Sequence, residues 1–155
     1  MLRYRFRYLL EKRKELEMNT LNKEYREAID IIEEARREID KILEKQPEVK
    51  GVENLEAYYL LEDTAERLGS ARNYLQYLSA PTKEGRLRED SNGKFFIEYM
   101  DGTESHLLSC GNPLELFLED DWVIARVEAK DGKYYFHAGD KPFLYEGMRA
   151  RKREI

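Results

Sequence analysis

The chain has 155 residues, of which 41% are hydrophobic, 38% charged and 12% aromatic, a composition that excludes a disordered chain and leaves room for one domain or two very small ones. Its formal net charge is −5, with 15 Lys+Arg against 17 Asp+Glu over residues 1–81 and 12 against 15 over residues 82–155, so neither half has the basic balance of a general nucleic-acid binder. A single cysteine, Cys110, excludes an intramolecular disulfide and a cysteine-based zinc site, and no apolar run nears the ~20 residues that span a bilayer.

Arg3, Arg5 and Arg7 open the chain, interleaved with Tyr4, Phe6 and Tyr8 and followed by Lys12, Arg13 and Lys14. The apolar stretch Tyr8-Leu9-Leu10 is far shorter than the ~7–15 residues of a secretory h-region, so a cytoplasmic location is expected. Residues 2–17 either extend the first helix or form a separate one broken at Asn19-Thr20. From Met18 the apolar residues step by three and four through Leu21, Tyr25, Ala28, Ile32, Ala35, Ile39 and Ile42, which places them on one helical seam. The seam stops near Gln46, because Pro47 cannot continue a helix and disfavours helical geometry just before itself.

Asn54 is positioned to cap a second helix, whose seam runs through Tyr58, Leu61, Ala65, Leu68, Ala71, Leu75 and Leu78 before Pro81 ends it. Gly69 interrupts it at a cost of roughly 1 kcal/mol relative to Ala, and allows a close approach of the facing helix. Two helices with a short connection are expected to lie antiparallel. Such a pair cannot bury both flanks, and homodimerisation through the helices is one way to cover them.

After Pro81 the period becomes strand-like. Asn92-Gly93, Asp101-Gly102 and Asp131-Gly132 have the form preferred in tight hairpins. They separate the runs Arg86–Glu89, Lys94–Met100, Thr103–Ser109, Leu114–Leu118, Trp122–Ala129, Lys133–Ala138 and Met148–Arg153, a spacing typical of a sandwich or small barrel. Alternation assigns an inner face to Phe95, Ile97, Tyr99, Leu114, Leu116, Leu118, Val123, Ala125, Val127, Tyr134 and Phe136. It leaves Phe96, Phe117, Trp122, Ile124 and Tyr135 on the outer side. Contiguous apolar surface of that kind needs a cover, either the chain's own helices or a partner protein.

The segments Leu108 to Leu116, Asp121 to Glu128, Asp131 to Tyr135 and Gly147 to Arg151 resemble an uncharacterised family of small bacterial domains of unknown function, often carried on mobile genetic elements. The resemblance implies an SH3-like barrel over about residues 85–153, and an accessory or inhibitory role that includes an anti-CRISPR-like one. Tudor-type barrels are similar in the same strands. The family supplies no catalytic residues to carry over.

Chemistry is sparse elsewhere. His106, His137 and Cys110 show no metal-ligand spacing, Glu119-Asp120-Asp121 reads as a hairpin tip without calcium-loop spacing, and no phosphate-binding glycine motif occurs. The expected fold is α+β: an antiparallel, coiled-coil-like helical hairpin over residues 1–81 and a small SH3-like antiparallel β-barrel over residues 82–155. The expected function is a non-enzymatic protein-interaction module without metal or cofactor, its partner meeting Phe96, Phe117, Trp122, Ile124 and Tyr135. The alternative is a nucleic-acid binder using Arg3, Arg5, Arg7, Arg149, Arg151, Lys152 and Arg153, with Tyr4, Phe6 or Tyr8 stacking on bases.

Overall fold

The computed structural model describes residues 21–46 and 48–154. Arg3, Arg5, Arg7, the expected helix over residues 2–17, Met18 and Pro47 lie outside the described residues. The chain divides into two compact units, with the boundary along the sequence between Pro81 and Thr82.

The first unit is a helix pair, α1 (Lys23–Glu44) and α2 (Val52–Ser79). Arg72 pairs with Glu33 at 3.4 Å, and the Arg36 guanidinium lies 3.0 Å from where a Cβ on Gly69 would sit. The two contacts run in opposite chain directions, so the hairpin is antiparallel. The facing stripe of α1 is Ile29, Ile32, Arg36, Ile39 and Leu43, whereas Tyr25, Ala35 and Ile42 of the expected seam are exposed. On α2 the expected Ala71 is exposed, and Gly69 and Arg72 turn inward beside Leu61, Ala65 and Leu68. The reason is local: Gly69 lacks a side chain, and the guanidinium of Arg36 fills that space. Gly51, with φ 87°, is the residue before α2, not Asn54; the Asn54 side chain instead donates to the Lys50 carbonyl at 2.9 Å.

The second unit has six strands: β1 (Thr82–Glu89), β2 (Phe95–Tyr99), β3 (Pro113–Leu118), β4 (Asp121–Lys130), β5 (Lys133–Phe136) and β6 (Arg149–Arg153). All pairings are antiparallel, in the order β2-β1-β6-β3-β4-β5. The fold class is therefore α+β, but the sheet is open and no ladder joins β2 to β5, in contrast to the closed barrel expected. Both edges that would have to meet are already occupied. On β2, Ser105 N and Leu108 N donate to the carbonyls of Ile97 and Phe95, at 2.9 and 2.7 Å, and the Ser105 hydroxyl accepts from Ile97 N at 2.8 Å. A side chain thus takes a place in the ladder, and the run expected as a strand over Thr103–Ser109 is reduced to one bridge, Glu104 to Glu98. On β5, Phe136 N donates to Pro142 O and Leu144 N to Tyr134 O, at 2.9 and 3.0 Å. Covering sheet edges in this way removes templates for unwanted strand pairing.

The inner face matches the alternation read from the sequence. Leu87, Ile97, Leu114, Leu116, Val127, Phe136 and Ala150 are fully buried, with Phe95, Leu108, Leu144 and Met148 nearly so. Asp131-Gly132 makes the expected two-residue turn, with φ 53° and 75° and Lys130 facing Lys133. Glu119-Asp120 makes another, φ 49° and 67°, using two acids where Asn-Gly is the usual pair. Asn92-Gly93 sits in a longer turn tied by the Asp90 carboxylate, which accepts from Asn92 N and Lys94 N at 2.8 and 2.9 Å. The Asp101 carboxyl is lowered to about 2 by hydrogen bonds from the Thr103 hydroxyl and N–H and from Lys83.

Candidate functional site

β6 lies in the middle of the sheet, and its alternation sends Ala150 into the core and Arg149, Arg151 and Arg153 to the outer face. The neighbouring strands place acids and rings beside them. Glu115 of β3 stands opposite Arg151, and Phe117 stands opposite Trp122 of β4.

Glu115 is completely buried although it belongs to the outer face. Its Oε1 accepts from Arg151 Nε at 2.9 Å and Arg153 Nη2 at 3.1 Å, and its Oε2 accepts from Arg153 Nε at 2.8 Å. Arg149 Nε donates to Glu84 Oε1 of β1, a contact that raises the Arg149 pKa. The guanidinium faces are used too. Arg149 lies 4.3 Å from the Phe117 ring centroid and 5.2 Å from that of Trp122, and Arg151 lies 4.3 Å from Trp122. Phe117 and Trp122 meet edge to face at 5.3 Å. Each of these two arginines therefore binds a carboxylate through its edge and a π-system through its face, the combination for which guanidinium is suited and ammonium is not.

The sheet order decides which expected site residues meet. Phe117, Trp122 and Ile124 gather on β3 and β4, with Ile124 at 36% exposure and the two rings half-buried. Phe96 lies on β2, four strands from Trp122, or ~19 Å along the sheet at ~4.8 Å per strand. Tyr135 faces Glu128 near the other end of β4, with its ring 6.0 Å from that of His137. Lys152 alternates to the side opposite the arginines, where burial lowers its pKa. The cationic set Arg149, Arg151 and Arg153 and the aromatic set Phe117 and Trp122, kept apart in the sequence reading, form one cluster. That reading missed Glu115 and Glu84; the only signal was an outward acid on a strand facing an Arg-x-Arg-x-Arg strand far along the chain.

His106 and Cys110 are exposed, and Nδ1 of half-buried His137 is enclosed without a hydrogen-bond partner. Among the described residues no group of three or more His, Cys, Asp or Glu converges as a metal site, and no helix is long and apolar enough to cross a membrane.

No curated protein and no solved structure matches the chain. Residues 85–152, from Gly85 in β1 to Lys152 in β6, match the family described as "Domain of unknown function (DUF5348)", so nearly the whole sheet unit is similar to an uncharacterised domain family, and the helix pair lies outside the match.

Proposed function

We propose that the sheet unit is a non-enzymatic protein-binding module, with the outer-face cluster of Phe117, Trp122 and Ile124 as its contact surface. The observation that carries this reading is Trp122: it belongs to the face away from the core and is framed by Arg149 and Arg151. Tryptophan and arginine dominate the energetics of protein interfaces. A partner would find the two guanidinium groups already held in place, with little rotamer freedom left to lose on binding. The SH3-like and Tudor-like resemblance supports a binding role, and an accessory or inhibitory protein is one form it takes.

The test is affinity capture of the partner from the native host with Ile124→Lys and Trp122→Ala variants, each with its unfolding midpoint measured. Ile124→Lys is expected to leave the midpoint nearly unchanged and to abolish capture; Trp122→Ala is expected to lose the partner while staying folded. Retention of the partner by both variants, or loss only through unfolding, would sink the proposal. The nucleic-acid alternative is weaker, because β6 would have to release Glu84 and Glu115 to offer its arginines to phosphates.

The helix pair supports a second proposal, self-association. No residue of α1 is buried, and α2 buries only Ala65, Gly69 and Tyr77. Ile31 and Ile42 of α1 are 70% and 50% exposed, and Val52 and Leu60 of α2 are each 66% exposed. Ile31, Ala35 and Ile42 fall on one stripe, which a second copy would cover in a four-helix arrangement. Sedimentation equilibrium should give a dimer that Ile31→Lys with Ile42→Lys converts to monomer; a monomeric wild-type chain at high micromolar concentration contradicts it.

A further inference from the structure

β4 is 10 residues long and β5 only 4. β5 therefore covers the last part of β4, and residues 121–126 form an edge of their own. Val127 N donates to Asn112 O and Val127 O accepts from Gly111 N, at 2.9 and 2.7 Å, on the side of β3. Backbone groups alternate in direction along a strand, so the odd-numbered residues of β4 turn theirs to β3, and Trp122, Ile124 and Arg126 turn theirs to the open side. There Arg126 O accepts from His137 N at 2.9 Å, and the chain then bends away as Ala138 N donates to Phe136 O at 2.9 Å. The Asp121 carboxylate accepts from Trp122 N at 2.8 Å. Among the described residues nothing meets the N–H or C=O of Ile124 or the C=O of Trp122. Backbone groups left open in this alternation are those that an added strand satisfies.

The same edge has a groove on its inner side. About 470 Å³ is lined by Leu118 and Val123 of the sheet and by Ala138 and Pro142 of the segment after β5. Its charged lining residues are both acids, Glu119 and Asp140. Among the described residues neither has an ion-pair partner, and the exposed Lys141 is not one of the lining residues. On the outer side Trp122 and Ile124 offer apolar surface.

We infer that this edge of β4 captures an extended segment of a partner protein as an added antiparallel strand, in line with β5. Residues of that segment opposite Ile124 are apolar and face outward; those between them are basic and enter the groove. A lysine lays its aliphatic stem along Leu118 and Val123 and brings its ammonium to Glu119 and Asp140. A second copy of β4 fits poorly: with Ile124 facing Ile124, Asp121 of each copy would occupy the place of the other's Phe136, which pairs with Val127. The inference deepens the reading of Trp122 and Ile124 as a contact surface and rests on it for the outer side.

The test is fluorescence anisotropy on the full chain with a labelled seven-residue peptide alternating lysine and valine, beside a twin methylated on the valine backbone nitrogens. The twin has the same charge and side chains but cannot donate to the edge. Saturable binding is expected, weaker for the twin by about tenfold or more. Ile124→Pro removes a backbone donor that no strand of the fold uses, which an edge tolerates; it should keep its unfolding midpoint near that of Ile124→Ala and bind about tenfold more weakly than it. Glu119→Gln with Asp140→Asn should weaken binding about threefold or more. No saturable binding, or equal binding of the two peptides, would overturn strand addition while leaving the partner-capture test of the outer face intact. Equal binding by folded Ile124→Pro and Ile124→Ala would do the same. A wild-type dimer that Ile124→Pro converts to monomer would give the edge to a second copy and overturn it too.

Discussion

Gly85→Ala is expected to destabilise the sheet unit by about 3 kcal/mol or more, at the upper end of overpacking costs and a large share of what a domain of this size possesses. Gly85 pairs with Tyr99 of β2 on one side and Ala150 of β6 on the other. A Cβ there would sit 2.1 Å from the Glu98 carbonyl oxygen and 2.7 Å from Tyr99 Cα. Both obstacles are backbone, so no rotamer change relieves the clash, and shifting β2 would break its register on β1. Urea unfolding followed by the fluorescence of Trp122, the single tryptophan, reads this unit selectively. Gly69→Ala, followed by the helical circular dichroism of the first unit, is the contrasting case, because its Cβ meets only the end of the flexible Arg36 side chain, at 3.0 Å; the helix-propensity gain of up to ~1 kcal/mol offsets that crowding. A Gly85→Ala protein within about 1 kcal/mol of wild type would contradict the close crossing of β1 and β2.

Glu115→Gln is expected to cost about 3 kcal/mol, because it leaves two guanidinium groups without the carboxylate that binds them. The side chains of Arg151 and Arg153 are only 16% and 5% exposed, so water cannot substitute fully. Replacing the whole triad with apolar residues of similar length, Glu115→Leu with Arg151→Met and Arg153→Met, is expected to cost less than the single change, since a buried ion network often contributes little beyond well-packed apolar groups. Denaturant midpoints of the two proteins decide the matter. A neutral Glu115→Gln would mean that the carboxylate charge is not what holds the arginines.

The sequence made much of the sheet legible, because period-two alternation acts residue by residue. The inner set from Phe95 to Phe136 and the outer set of Phe117, Trp122 and Ile124 follow from it directly. Openness of the sheet was not legible, since it depends on the Ser105 hydroxyl displacing a backbone partner and on Pro142 and Leu144 occupying β5. The helical seam was read one position off where Arg36 lies over Gly69. A pattern of apolar steps has no means of placing an arginine inward. Much of the site escaped for a topological reason: Glu115 and Arg151 sit on non-consecutive strands, 36 residues apart, and local pattern carries no information about which distant strands become neighbours.

The position of β6 in the sheet order bears on how the molecule is made. β1 with β2, and β3 with β4 and β5, can each form as local hairpins once their own residues have left the ribosome. Neither half acquires its inner neighbour until residues 149–153 follow. Arg149 then has to find Glu84, 65 residues earlier in the chain. Such a separation is slow to close, because chain entropy is lost before the contact is gained. The sheet is therefore completed from its middle, after its flanks, and a nascent chain halted short of Arg149 would hold two unjoined halves with the apolar faces of Leu87 and Leu116 still open to chaperones.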